Sequence, residues 1–326
     1  MSRAAQFRLD TSDTARFDRD GFIGPFKVYE PEEMEERWRV IRRQLLDRSH
    51  AAYPDETAGG TSKTANYDRH LDVDLLSELV MEPRIVDRVV SILGPDVLCW
   101  RTEFFPKYAG DEGTDWHQAA TFGSGAGRPQ LVWPAQSDGG RFGGALTVWV
   151  AFTDSTLVNG CLQIIPGTHN VMYYDESKTM AYDGLRVNQV RKGSVKRGFY
   201  GYDYREMQID PEWQPDESQA KSLVMRKGEC VFFWSTLLHA SLPHTGSKRD
   251  YRLGFPIRYV PTTVRVYPGI ESLHEHGAEI SLDRWAAVMV AGEDAYGHNR
   301  TTPVSHRGFK FVPRPAWVER SAVGAD

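Results

Sequence analysis

The tetrapeptide Trp116-His117-Gln118-Ala119 carries half of a metal site. A histidine followed two positions later by a carboxylate, and completed by a distant second histidine, holds a divalent metal such as non-haem iron(II) on one face. Here the carboxylate position is Ala119, which cannot bind a metal. A coordination position is therefore left open, and a small anion could fill it. The second histidine is best sought in Leu237-Leu238-His239-Ala240-Ser241, directly after the strand-like run Cys230-Val231-Phe232-Phe233-Trp234. Spacing alone is weak, because a lone histidine beside an apolar strand is more often a hydrogen-bonded structural residue. His244 is an alternative ligand five residues on. His169, in Pro166-Gly167-Thr168-His169-Asn170, reads as a turn residue near the rim of the site. His274 and His276 flank Glu275 and read as a solvated helix face. Asp115 precedes His117 by two residues and would ligate only with an unusual backbone path.

Arginines supply the other half. Arg252 and Arg258 lie six residues apart on Tyr251-Arg252-Leu253-Gly254-Phe255-Pro256-Ile257-Arg258, an even separation that puts both on one face of a strand. A guanidinium facing the inside of a barrel is costly unless it meets an anion. A dicarboxylate such as 2-oxoglutarate is one solution. An internal ion pair, for Arg258 with Glu103, is the other.

The elements that must position these residues change character along the chain. Pro31 to Ser49 opens with Pro-Glu-Glu and carries Met34, Trp38, Ile41 and Leu45 at helical spacing. Pro83 to Leu93 repeats that pattern and is stopped by Gly94-Pro95. Ala58 to Ser62 reads as a loop. From Val97 onward, short apolar runs alternate with Gly, Pro and Asp. Val97 to Tyr108, Leu146 to Thr153, Leu162 to Ile165, Glu229 to Trp234 and Arg252 to Val260 read as strands. Gly123 to Arg128 and Ser137 to Gly144 are Gly-rich loops. Tyr173 to Pro215 is long, polar and rich in Tyr, which suggests an insertion or lid over a sheet. Helices followed by many short strands imply a mostly β protein, one double-sheeted barrel with helices packed outside.

Bulk properties exclude several classes. A chain of 326 residues with net charge -5 has no basic footprint for nucleic acid. No apolar run approaches a membrane span, and Met1-Ser2-Arg3-Ala4 leads into charged residues rather than a signal core, so a cytoplasmic protein is expected. Three cysteines, Cys99, Cys161 and Cys230, are too few and too scattered for a disulfide framework and read as reduced core residues.

At the level of whole segments, the chain resembles the iron(II)/2-oxoglutarate-dependent aliphatic halogenases of nonribosomal peptide pathways, within the phytanoyl-CoA dioxygenase-like superfamily. The syringomycin-type threonyl and cytotrienin-type aminobutyryl halogenases are the nearest in pattern. The segments that carry the resemblance are Asp20 to Phe26, Ala65 to His70, Leu98 to Tyr108, Trp116 to Ala119, Asn159 to Thr168 and Trp234 to Ser241. His-Gln-Ala is the mark specific to the halogenases.

The resemblance implies a double-stranded β-helix (jelly-roll, cupin-like) core. Residues 1–326 would form one oxygenase-like domain, with a helical part over about 1–95. It implies His117 and His239 as iron ligands and Ala119 as the open halide position, with Phe122 and Ser235 lining the halide pocket. Arg252 would bind the distal carboxylate of 2-oxoglutarate, with Thr114 and Trp149 beside it. Arg258, Glu103 and Thr147 match positions just outside the ligands. Ser124 departs from the syringomycin type, which has an Asn there. The implied cofactors are Fe(II), 2-oxoglutarate, chloride and O2. The implied partner is a peptidyl carrier protein bearing a phosphopantetheine-tethered aminoacyl group of 2-aminobutyryl or threonyl type. In such enzymes 2-oxoglutarate is decarboxylated to succinate, and a chloro-iron(IV)-oxo species chlorinates an unactivated carbon. A hydroxylase with a two-histidine iron site and an inactive ligand-binding barrel remain as alternatives, since loss of a ligand is also how such enzymes die.

Overall fold

The computed structural model describes residues 6–53, 66–123, 127–134, 144–184, 190–192 and 195–315. The described residues include four α-helices: α1 (Thr11–Asp20), α2 (Pro31–Gln44), α3 (Asp74–Val80) and α4 (Pro83–Leu93). The strands begin with β1 (Phe22–Lys27), β2 (Val97–Thr102), β3 (Phe105–Tyr108), β4 (Gly113–His117), β5 (Leu131–Val132) and β6 (Leu146–Ala151). They continue with β7 (Leu162–Ile164), β8 (Val190–Lys192), β9 (Val195–Gly198), β10 (Lys221–Leu223), β11 (Glu229–Trp234) and β12 (His239–Ser241). The last are β13 (Tyr251–Pro261), β14 (Arg265–Val266), β15 (Ser272–Glu275), β16 (Ala278–Ser281) and β17 (Val288–Ala291).

The larger sheet runs β1-β11-β6-β13-β2-β17, with β3 beside β13, and the smaller runs β10-β7-β12-β4-β9-β8. Together they form a mostly β, jelly-roll (double-stranded β-helix) core. Side-chain alternation divides the larger sheet's two faces. On its outer face Val148, Val150, Cys230, Phe232, Phe255, Ile257 and Tyr259 join the main core with helix residues Ile85, Val86 and Val89. On its inner face Trp149, Ala151, Val231 and Phe233 meet Leu162 and Ile164 of the smaller sheet. Both faces of β6 and β2 are therefore buried, which explains their nearly continuous apolar sequence.

The helices follow their caps. In α4, Pro83 fills the first turn, the Glu82 carboxylate accepts from the Arg84 N–H, and Gly94 ends the helix. The α2 helix also starts at a proline but ends at Gln44, five residues short of the sequence expectation, with Arg42 and Arg43 in its last turn. The N-terminal part is also less helical than its pattern suggested. β1 adds an edge strand to the larger sheet through β11. The predicted strand from Val97 to Tyr108 is broken at Glu103 and Phe104. β2 pairs with the far half of β13 and β3 with its near half. Pro256 sits opposite the gap and has no N–H to give to a ladder; its carbonyl instead accepts from Glu103 N.

The expected helix around His274 is a β-hairpin. β15 and β16 are joined through His276 and Gly277, at φ 52° and 75°. Glu275 and His276 are buried, so the alternation that read as a solvated helix face is hairpin periodicity. The described parts of Tyr173 to Pro215 cover the outer face of the smaller sheet, where Tyr174, Tyr204 and Met207 pack with Trp116, Leu238 and Ala240. The loop at Ala58 to Ser62, position Ser124 and most of Ser137 to Gly144 lie outside the described residues. Cys99, Cys161 and Cys230 are buried free thiols. No helix among the described residues is long and apolar enough to cross a membrane.

Candidate active site

His117 ends β4 and His239 starts β12, and the two are direct register partners across an antiparallel pair. Their ring centroids are 3.9 Å apart. Each ring is aimed by its own chain: His117 Nδ1 lies 2.8 Å from the Asp115 carbonyl and His239 Nδ1 2.7 Å from the Leu237 carbonyl. A carbonyl only accepts, so both Nδ1 atoms carry the proton and both Nε2 atoms present a lone pair. Burial pushes the His117 imidazolium well below its ordinary pKa, and the neighbouring His239 adds to this. His239 is pushed down to about 4 by burial. Two neutral imidazoles with free Nε2 atoms are what a divalent metal requires. Among the described residues no group of three His, Cys, Asp or Glu side chains is arranged to hold a metal. The ligand set available from the chain at this place is the histidine pair.

A cavity of about 150 Å³ opens around the pair, room for on the order of ten waters. The residues that the resemblance implies for the site all line it: Thr114, His117, Ala119, Phe122, Thr147, Trp149, Ser235, His239, Arg252, Arg258 and Glu103. Ala119 is nearly buried and locked to Ser235. Its N–H donates to the Ser235 carbonyl at 2.9 Å, and the Ser235 hydroxyl donates to the Ala119 carbonyl at 2.5 Å. Phe122, at φ 56°, packs edge-on against Trp100 and lies under the Arg258 guanidinium.

Arg252 and Arg258 do share the inner face of β13, but their partners differ. Arg258 Nη1 meets Glu103 Oε1 at 2.6 Å, the internal ion pair, and faces Thr147 in register. Arg252 is 2% exposed and has no carboxylate partner among the described residues. Its Nη1 and Nη2 donate to the carbonyls of Gly160 and Phe105 at 3.1 and 3.3 Å, and its Nε has no acceptor. Burial lowers its pKa. Trp149 lies 5.4 Å from the guanidinium. Gly254 makes this packing possible, because a Cβ there would stand 1.8 Å from the Trp149 ring. Thr114 accepts from the Ser241 hydroxyl at 2.9 Å.

His244 and His169 fall away from the cavity. His244 is tied to the Asp250 carbonyl at 3.2 Å and accepts from Gly246 N. His169 lies 3.2 Å from the Asp18 carbonyl and does not line the cavity, contrary to its expected place at the rim. Asp115 accepts from Trp116 N and is no ligand.

Several functional positions escaped the sequence. The Glu176 carboxylate accepts from Ala120 N, Thr121 N, Thr121 Oγ1 and Phe122 N at 2.7–3.1 Å, fixing the chain just after Ala119. Gln118 points away from the cavity. It donates to the Val171 and Thr236 carbonyls at 2.8 and 2.6 Å and accepts from Tyr173 N at 2.9 Å. Phe199 and Tyr204 stand 4.6 and 5.3 Å from the His117 ring. Arg101, Glu275 and His276 also line the cavity. Gln118 follows a strand that is itself polar, Gly113-Thr114-Asp115-Trp116-His117, so its polarity gave no usable signal.

A family model described as phytanoyl-CoA dioxygenase (PhyH) matches residues 17–252. Ectoine dioxygenase from Nocardia farcinica is 29% identical over 160 residues, 47% of this chain and 49% of the relative. Its Streptomyces coelicolor counterpart is 27% identical over 165 residues, 49% and 51% respectively. The chain thus spans about half the length of these curated relatives. A solved structure described as CytC3 with Fe(II) and alpha-ketoglutarate is 52% identical, covers 96% of this chain and 99% of that one, and has a TM-score of 0.74. The chain belongs to the phytanoyl-CoA dioxygenase family.

Proposed function

We propose that this protein is an iron(II)- and 2-oxoglutarate-dependent halogenase that chlorinates an unactivated aliphatic carbon of an aminoacyl group, of 2-aminobutyryl or threonyl type, carried on a peptidyl carrier protein. His117 and His239 would hold the iron through Nε2. Arg252 would receive the distal carboxylate of 2-oxoglutarate, with Thr114 and Trp149 shaping its seat. When bound, the metal supplies the oxygen activation and radical chemistry; the protein supplies ligands, placement and a dry cavity.

The observation that carries the reading is Ala119, a methyl group at the cavity wall where a third ligand would project. Charge supports it. In the lining, Arg101 and Arg258 are matched by Glu103 and Glu275, and Arg252 is the cation left over. With iron(II) and the 2-oxoglutarate dianion present, one positive charge remains. An Asp at 119 would cancel it; with Ala119, a bound halide does so. The rest of the wall argues for the same occupant. Ser235 spends its hydroxyl on the Ala119 carbonyl, so the halide would meet Phe122 and the Arg258–Glu103 pair rather than a free donor from Ser235.

The ectoine dioxygenase relatives favour a second reading, hydroxylation at a two-histidine centre. Product mass decides between the two. The wild-type enzyme, given carrier-bound 2-aminobutyrate or threonine with chloride and oxygen, is expected to yield the chlorine isotope pattern. Ala119→Asp is expected to abolish it, because a carboxylate occupies or repels the halide position. Hydroxylated product alone from the wild type, or sustained chlorination by Ala119→Asp, refutes the proposal.

A further inference from the structure

One stretch of the cavity wall is charged and is not needed to hold metal or co-substrate. Arg101, on β2, is 3% exposed. Its Nη1 lies 3.2 Å from Glu275 Oε1 and 3.8 Å from Glu103 Oε1, so one nitrogen brings the two carboxylates together. Arg258 Nη1 donates to Glu103 Oε1 at 2.6 Å, and Gln130 Nε2 to Glu275 Oε1 at 2.5 Å. These close bonds all end on the Oε1 atoms. Among the described residues Glu103 Oε2 accepts no hydrogen bond, and Glu275 Oε2 has only a 3.5 Å contact to Arg101.

Two distinct pieces of backbone present these oxygens. Glu103 sits in the break between β2 and β3. Glu275 ends β15, just before the tight turn at His276 and Gly277, and the His276 N–H donates to the Tyr202 hydroxyl at 2.8 Å, which fixes the turn. Burial alone would raise the Glu275 carboxyl, but Arg101, His276 and Gln130 outweigh it and hold it below its ordinary range. The carboxylate is therefore charged at neutral pH. Acceptors left open on two buried carboxylates are costly until a donor arrives.

We propose that Glu103 and Glu275 form an ammonium subsite, receiving the α-amino group of the aminoacyl substrate. This rests on the reading above that the substrate is aminoacyl. A hydroxyl has one proton to give and no charge. An ammonium has three donors in a tetrahedral arrangement and bonds oxygens of two different carboxylates at once. Each carboxylate already shares a guanidinium, so the attraction is moderate and suits release after each turnover. Held by its amine, the substrate has its side-chain carbons oriented within the cavity that contains the histidine pair.

The test is binding under anaerobic conditions by enzyme loaded with iron(II), 2-oxoglutarate and chloride. The probes are one carrier protein charged with either 2-aminobutyryl or butyryl thioester, which differ only in the amine. Wild-type protein is expected to bind the amino probe at least about tenfold tighter, about 1.4 kcal/mol. Glu275→Gln, which keeps the shape and removes the charge, is expected to lower that ratio below about threefold with butyryl affinity kept within about twofold. A ratio unchanged in Glu275→Gln overturns the proposal. If Glu275→Gln does not fold, as judged by thermal melting, Glu103→Gln decides by the same ratio. Wild-type enzyme that chlorinates but binds both probes equally loses the subsite and keeps the halogenase reading. Wild-type enzyme that prefers the amino probe but makes no chlorinated product keeps the subsite and loses halogenation. Failure to bind either probe sinks both.

Discussion

Replacing Arg252 probes the co-substrate seat most directly. The guanidinium is buried, carries a charge that no carboxylate among the described residues answers, and keeps Nε without an acceptor among them beside two carbonyl contacts of 3.1 and 3.3 Å. Such an arrangement is poised for a bidentate carboxylate, which would use the planar fork and supply the missing charge. Arg252→Ala should then weaken 2-oxoglutarate binding by roughly 2–5 kcal/mol, the range for a desolvated charged pair losing one member. That is a loss of about thirtyfold to several-thousandfold in affinity. Arg252→Lys should recover little, because an ammonium is a point charge without the fork, and because its shorter reach must also satisfy the Gly160 and Phe105 carbonyls. The assay is calorimetric titration of the anaerobic, iron-loaded protein with 2-oxoglutarate, with a melting curve for each variant. Melting separates loss of the seat from loss of the fold, since the two carbonyl contacts also tie β13 to its neighbours. Unchanged affinity in both variants refutes the assignment and moves the anchor to Arg258, whose charge is otherwise spent on Glu103.

Three further outcomes are expected. His117→Ala and His239→Ala should each abolish stoichiometric iron(II) binding by equilibrium dialysis, while His244→Ala, outside the cavity, should keep most of it. Gln118→Leu leaves two carbonyls and an amide N–H unpaired in the interior; it should cost about 3 kcal/mol in urea unfolding and loosen iron binding as a consequence. Asp68 is buried, and burial raises its carboxyl to about 7 despite Arg101 nearby. Its folded pKa thus lies above its unfolded value, so ionisation costs the folded state: the penalty is absent below about pH 4, grows with pH, and is complete above about 7, up to about 4 kcal/mol. Asp68→Asn should remove that decline of stability between pH 4 and 7 in unfolding curves.

The arginine face was legible in the sequence because it depends on local order, whereas the pairing of His117 with His239 was reached through the family resemblance, spacing alone being weak. A strand's two-residue period aligns Arg252 with Arg258, and a motif places His117 two residues from Ala119. Helix α4 was legible to the residue because proline and glycine mark its two ends. What failed depends on partners distant in the chain. Nothing near Glu103 shows that its strand will break, since the cause is Pro256 on another strand. The alternation His274-Glu275-His276 fits either a hairpin or an exposed helix, and only burial against Arg101 decides. Glu176 lies more than fifty residues from the loop it holds, and a single acidic residue in a polar stretch carries no periodic signal.

The missing carboxylate is not an isolated deletion, and the surrounding contacts explain how the gap persists. A methyl group gives the metal pocket no ligand and nothing that fixes its own backbone. That work passes to neighbours: Ser235 bonds Ala119 at both its N–H and its carbonyl, Gln118 ties the preceding residue to Val171 and Thr236, and Glu176 gathers the next three residues. Held on three sides, the loop cannot collapse into the space a carboxylate would have filled. A protein that had merely lost a ligand has no reason to keep the half-buried Glu176 carboxylate against three backbone N–H groups, at the cost that its raised pKa records. The rigidity of this segment argues that the open position is built to be occupied. Glu176→Gln therefore isolates that point. An amide accepts through one oxygen and offers N–H groups where the loop also offers them, so the segment should loosen while both histidines stay. Iron affinity is then expected to hold within about threefold, while chloride affinity, read by competition with bromide at the iron-loaded site, falls at least about tenfold. Equal losses of iron and halide would mean that the loop supports the metal alone.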